Sequence, residues 1–213
     1  MKAPATEAPA GAAPVLPTDL AALLPPALHP LCSALDAVRG TRLFATGARP
    51  VHLFFMEHGE AVLERPGLHG ETVVLQRTRH GFIGEASLQF ERYHCDARVL
   101  TDAHITRLPV ASVRAALASD PAFASRWIGM LNREVRRLRL QCERLVLHRV
   151  QDRVLHLLAT EGEGGRYPVP GGLKSLAAEL GVTHEALYRA LAALEQAGRL
   201  AREDGVLRLL PVA

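Results

Sequence analysis

The sequence predicts an α+β chain in three blocks: an N-terminal antiparallel sandwich or roll, a long central helix, and a C-terminal unit of helix, tight turn, helix and hairpin. Three observations carry that prediction. Short runs of strand-forming residues, separated by Gly, Pro and His-Gly breaks, fill residues 51–108, a pattern typical of antiparallel β architecture. Apolar residues then recur at alternating three- and four-residue steps from Ile128 to Leu145, which is helical periodicity. Near the end, Asp204-Gly205 sits between two apolar runs, a strong hairpin signal. The expected organisation is a disordered tail over 1–18, a β-rich block over 19–118, the long helix over 119–146 and the terminal unit over 147–213.

Composition narrows the possibilities. A chain of 213 residues with 48% hydrophobic content can bury one sizeable core or two small ones. The net charge of +3 is unevenly placed: residues 1–132 carry 12 Lys+Arg against 12 Asp+Glu, and residues 133–213 carry 13 against 10. The excess is nearly all Arg, a mild pointer to a polyanionic partner. Three widely spaced cysteines, Cys32, Cys95 and Cys142, read as the reduced thiols of a cytoplasmic protein. No apolar run approaches about 18 residues, so no membrane span is expected. The N-terminus lacks the apolar core of a secretory signal.

Taken in order, the Ala/Pro-rich start reads as disordered. Leu23, Leu24, Leu28, Leu31, Leu35 and Val38 suggest short helices broken at Pro25-Pro26 and Pro30, because proline ends a helix. Strands are expected at Val51–Met56, Ala61–Arg65, Thr72–Arg77, Ala97–Leu100 and Ile105–Leu108, and a short helix at Ala111–Leu117. Ser119, Asp120 and Pro121 then form a helix start. The helix that follows carries Ile128, Leu131, Val135, Leu138, Cys142 and Leu145 along one seam. Ile and Val at one heptad position with Leu at the other favour two parallel strands, so this seam is the expected interface of a homodimer. Glu134 and Arg139 would meet across it. At roughly 1.5 Å per residue the helix spans about 40 Å.

Val150, Val154, Leu157 and Leu158 mark a further helix ending at Gly162, and residues 161–172, with five glycines and two prolines, read as a loop. Helices at Leu173–Leu180 and Thr183–Ala197 follow, joined through Gly181, and the chain closes on strands at Leu200–Arg202 and Val206–Leu210. That order is a winged helix-turn-helix. In such a unit the second helix enters the major groove by its N-terminal end. Thr183 is a good N-cap, which places His184, Glu185, Tyr188 and Arg189 at the entering end, with Lys174 on the preceding helix. Leu176, Ala177, Leu180, Val182, Leu187, Leu191 and Leu194 supply the inner face. Glu185 can accept from a cytosine amino group and Arg189 can bond guanine twice. Double-stranded DNA is therefore the expected partner.

Several segments together resemble the bacterial cyclic-AMP receptor protein and fumarate-nitrate regulator (CRP/FNR) family of transcription regulators, over about residues 20–210. They are Leu43, Phe44 and Gly47 in an LF-x-x-G run, Gly59-Glu60 before Val62, the run GFIGEASLQFERYHCDARV from Gly81 to Val99, the long helix, and the terminal AAELGVTHEALYRALAALEQAG. The resemblance implies a β-roll effector domain, a jelly roll like those that bind cyclic nucleotides, followed by a dimerisation helix and a winged helix-turn-helix. It also implies RNA polymerase as a further partner. Residues matching His184, Glu185 and Arg189 contact bases in the family. His184 stands where relatives often have arginine, and Tyr188 where they have small residues. Arg153 matches an arginine that follows the hinge, here near Leu147-His148.

The same resemblance assigns an effector pocket. Gly84 and Glu85 match the glycine and the ribose-binding glutamate of the family's phosphate-binding cassette. The phosphate-binding Arg-Ser pair is replaced by Cys95-Asp96, whose carboxylate would repel a phosphate. Leu138 and Arg139 stand where relatives place two hydroxyl residues against the purine. Cyclic AMP is therefore not expected, and the cysteine cluster of iron–sulfur members is missing. The alternatives are a metal or haem held by His94 and Cys95, with Cys142, His80 or His104 as additions, a redox-sensitive Cys95 thiol with its pKa lowered by neighbouring cations, or no effector. An enzyme is not expected: there is no Ser/His/Asp order, Walker loop, H-E-x-x-H or CxxC pair. A ligand module without DNA activity is disfavoured by the terminal unit.

Overall fold

Strands begin earlier in the chain than the leucine spacing implies. The computed structural model describes residues 6–7, 15–68, 72–169 and 172–211. In it, α1 (Thr18–Leu23) and a 3-10 turn (Pro26–Leu31) are followed by a strand at Ser33–Ala37. Leu35 and Ala37 are buried while Asp36 and Val38 are exposed, a period of two, so the helix expected up to Val38 stops short. The spacing of Leu28, Leu31 and Leu35 bridges two different elements. Thr6–Glu7 (β1) pairs antiparallel with this strand (β2), Thr6 opposite Asp36 and Glu7 opposite Leu35. The tail expected to be disordered over 1–18 therefore contributes a strand to an otherwise open edge and the first residue of α1, Thr18. The rest of 1–14 lies outside the described residues.

Seven more strands complete the β-rich unit: β3 (Arg42–Phe44), β4 (His52–His58), β5 (Ala61–Pro66), β6 (Thr72–Thr78), β7 (Gly81–Ile83), β8 (Asp96–Val99) and β9 (Ala103–Pro109). They form two antiparallel sheets, ordered β1-β2-β9-β4-β7 and β3-β8-β5-β6. Both sheets line one core, with Leu35, Phe54, Met56, Ile83 and Ile105 from the first and Phe44, Leu63, Ala97 and Val99 from the second. This is the roll that the strand spacing predicts. β4 is buried along Leu53–Met56, because its other face is covered too: Phe55 meets Phe82 edge-on at 5.0 Å, and Phe82 meets Trp127 at 5.0 Å.

Trp127 belongs to the long helix α3 (Pro121–Val146), which follows α2 (Val110–Ser119). Asp120 starts α3 as expected, its carboxylate accepting from the Phe123 N–H at 3.0 Å. The chain divides into two compact units, Met1–Gly129 and Met130–Ala213. In the second, α4 (Val150–Glu161), α5 (Gly172–Glu179) and α6 (His184–Gln196) share a core with a three-stranded sheet ordered β10-β12-β11. β11 (Leu200–Glu203) and β12 (Val206–Leu209) are the predicted hairpin, turning at Asp204-Gly205 with both residues at positive φ. β10 (Arg166–Pro168) lies inside the stretch expected to be only loop. Among the described residues no helix is long and apolar enough to cross a membrane.

Candidate functional site

The helix pair of the second unit is built on leucine. Leu176, Ala177, Leu180, Leu187, Leu191 and Leu194 are all buried, the inner face that their spacing predicts. Gly181 makes the turn at φ +65°, and a Cβ there would meet Leu145 Cδ2 at 3.2 Å. One arginine ties the turn to what precedes it. Arg153 donates to three carbonyls: Leu147 O at 2.8 Å, Leu180 O at 2.9 Å and Leu145 O at 3.2 Å. The end of α3, the hinge and the approach to the turn are thus joined by one planar group.

On the outer face, Thr183 caps α6, its Oγ1 accepting from the Ala186 N–H at 3.2 Å. Thr183, His184, Glu185, Tyr188 and Arg189 are all exposed, as is Lys174 on α5, so every residue expected to face a partner is at the surface. His184 and Tyr188 meet edge-to-face at 4.6 Å, and the Arg202 guanidinium lies 6.0 Å from the Tyr188 ring centroid. Arg202 is itself held by Glu195 through bonds of 2.7 and 2.6 Å. Sequence reasoning missed this: Arg202, on the hairpin, frames Tyr188 from the side. Glu185 keeps its carboxyl below the usual range because its own backbone N–H and the Thr183 side chain bond to it, with His184 and Arg189 adding smaller pulls. It is an acceptor at neutral pH.

The seam of α3 is partly open to solvent. Ile128 is 56% exposed, Val135 44% and Leu145 43%; Cys142 is exposed, and Leu131 and Leu138 are half-buried. Glu134 does not wait for Arg139: it forms a fork with Arg137 of its own helix, with bonds of 2.7, 3.0 and 3.2 Å.

The residues expected to form an effector pocket present different chemistry. Gly84 adopts φ +90°, and a Cβ there would meet Phe44 at 3.3 Å and Tyr93 at 3.4 Å. Phe44 and Tyr93 stack face to face at 3.8 Å, and the Tyr93 hydroxyl donates to His52 O at 2.6 Å. The space over this glycine is therefore filled by the chain's own rings. Cys95 is 1% exposed within the roll core. Asp96 turns its carboxylate to the Thr46 N–H at 2.6 Å. Arg98, on the same strand, is forked onto Glu64 at 2.9 Å for each bond. Glu85 is half-buried; on α3, in the second unit, Leu138 is half-buried and Arg139 exposed. A cyclic nucleotide phosphate needs cationic or N–H donors where Cys95 and Asp96 stand, and these residues do not fit it.

The metal and redox alternatives meet physical obstacles. His94 is exposed, with Nδ1 3.0 Å from Ser87 Oγ, while its neighbour Cys95 is buried. His80 and His104 are engaged by Asp19 and Asp36 at 2.7 and 2.6 Å. Among the described residues no group of three or more His, Cys, Asp or Glu is placed to hold a metal. Burial pushes the Cys95 thiol up, outweighing the opposite pull of Arg65, and Asp96 and Glu85 add to the rise. Burial thus overrides the lowering expected from neighbouring cations, and the two arginines nearest in sequence are engaged elsewhere, Arg92 with Gly47 O and Arg98 with Glu64.

Residues 36–120 match the family described as the cyclic nucleotide-binding domain. No curated protein matches the chain by sequence. Among solved structures, FixK2 from Bradyrhizobium japonicum is similar with a TM-score of 0.68 at 16% identity, covering 84% of this chain and 93% of that one. The c-di-GMP responsive global regulator CLP of Xanthomonas campestris gives 0.58 at 19% identity, covering 85% and 95%. A CRP/FNR family transcriptional regulator from Thermus thermophilus gives 0.55 at 21%, covering 84% and 94%. Residues 36–120 thus match the cyclic nucleotide-binding domain, and the chain, with its long helix and winged helix-turn-helix, has the fold seen in a solved CRP/FNR family transcriptional regulator.

Proposed function

We propose that the chain is a homodimeric transcription regulator that reads a two-fold symmetric DNA site with α6 and is switched by a signal other than a cyclic nucleotide. The observation that carries the reading is α6 itself: a capped helix, fully buried on its leucine face, with His184, Glu185, Tyr188 and Arg189 together on the exposed side. Glu185 is ionised and suits a cytosine amino group; Arg189 suits the acceptor pair of guanine. Dimerisation is supported by the exposed part of the α3 seam. Two copies side by side would present two reading helices to half-sites about one helical turn apart. CLP, of the same fold, is c-di-GMP responsive, so the fold is not tied to cyclic AMP. RNA polymerase is proposed as a further partner.

Selection of bound sites from random duplexes, with and without reductant and transition metals, tests the reading. The expected product is a palindrome; recovery of no enriched or no symmetric site overturns it. Within the selected site, Arg189→Ala should cost about 1–3 kcal/mol and relax selectivity at one base pair per half-site. An equal loss on specific and random duplexes in gel-shift titrations would reassign Arg189 to the phosphates.

A further inference from the structure

Outside the roll interior, between the β3–β4 loop, the segment 88–92 and α2, lies a cleft of about 480 Å³ lined by Arg49, Pro50, Phe90, Glu91, Arg92 and Arg114. Its volume is in the range of small-molecule sites, roughly 300–1,000 Å³. Three guanidiniums and one carboxylate share its wall. Two of those arginines are fixed by the backbone: Arg114 donates to Leu88 O and to Phe90 O at 3.0 Å, and Arg92 donates to Gly47 O at 2.9 Å. These bonds take up only part of the five N–H donors each guanidinium carries. Arg49 is exposed and forms no hydrogen bond or ion pair with another described residue. Phe90 adds a ring that is 63% exposed, an apolar face open to a ligand beside the three cations.

We propose that this cleft binds a small planar organic anion, its carboxylate or phosphate held by Arg49, Arg92 and Arg114 and its flat apolar part laid on Phe90. Like charges gathered around a concave wall focus a positive field that an anion relieves. Guanidinium forks match carboxylate and phosphate oxygens, and anchored ones lose little freedom on binding. The exposed ring explains why the ligand is aromatic or otherwise flat rather than a bare inorganic ion. Glu91 offsets one of the three cations, which favours a ligand of one or two charges over a polyphosphate. The site is separate from Gly84, Cys95 and Asp96 and does not depend on the DNA-reading role.

Calorimetric titration of the full chain with phenyl phosphate, benzoate and inorganic phosphate tests the proposal. One of the two aromatic probes should bind at least about tenfold more tightly than inorganic phosphate, and Arg49→Ala and Phe90→Ala should each weaken it about tenfold. Both replaced side chains are exposed, and unchanged thermal melting of the variants confirms that the fold is retained. Phenyl phosphate as the tighter probe assigns the head group as phosphate, and benzoate as carboxylate. Absence of binding by both aromatic probes, equal affinity for inorganic phosphate, or affinities that neither variant alters would each overturn it.

Discussion

At Asp96 a single carboxylate closes the segment after β3 onto β8. The Thr46 amide and side chain hold its carboxyl below the usual range, with Arg42 adding a smaller pull. The folded value lies below the unfolded one, so the contribution is complete above about pH 4 and fades as pH falls through the folded value. Urea midpoints followed from about pH 6 down to about pH 3 should therefore drop less steeply for Asp96→Asn than for the wild-type chain. Equal slopes would show that this carboxylate carries none of the acid sensitivity. Arg144 poses the opposite case. It is 1% exposed at the end of α3, it pairs with Glu161 of α4, and its Nε is buried without a partner among the described residues. Removing one partner of such a pair leaves an uncompensated charge, so Glu161→Ala should cost about 3 kcal/mol in chemical denaturation. A loss under about 0.5 kcal/mol, as at an exposed pair, would mean that water reaches the guanidinium. Nothing in the sequence marked Arg144 as the buried member of a run of surface arginines, because burial of a charge depends on where its partner sits.

Among the elements, α6 was legible because cap, apolar stripe and polar face all agree: Thr183 caps it, Leu187, Leu191 and Leu194 are buried, and Arg189 is exposed. β2 was not, since Leu35 and Val38 fall in step with Leu28 and Leu31 of the preceding turn, although the residues that point inward are Leu35 and Ala37. β7, with three residues, and β10, inside a glycine-rich stretch, are too short for any periodicity to register. α3 was legible in extent but mixed in role. Phe123 and Trp127 bury its first turns in the β-rich unit, 0% and 4% exposed, whereas Val135 further along is 44% exposed. If the exposed seam joins two copies, Val135→Glu should sediment as a monomer, keep its helical circular dichroism and lose affinity for a palindromic duplex. Persistence of the dimer would place the interface on another face.

For the molecule as a whole, the effector question turns on what the roll has put in its own interior. Cyclic AMP at about 1 mM should leave the Tm unchanged; a ligand with a Kd of about 10 μM would add about 2.7 kcal/mol at that concentration. A rise of several degrees would show that the Phe44–Tyr93 stack moves aside. The replacement of the Arg-Ser pair by Cys95-Asp96 could be read from the resemblance, but the filling of the cradle beside Gly84 could not, since Phe44 and Tyr93 lie far apart in the chain and meet only through the fold. The same holds for Arg153, whose conspicuous place after the hinge said nothing of its three acceptors. A guanidinium standing on Leu145, Leu147 and Leu180 is a tripod, and a tripod transmits torque. Twisting of α3 at Leu145 would reach Leu180, just ahead of the Thr183 cap of α6, through one rigid group, whereas a lysine, whose donors all sit on a single nitrogen, would let the two ends turn independently.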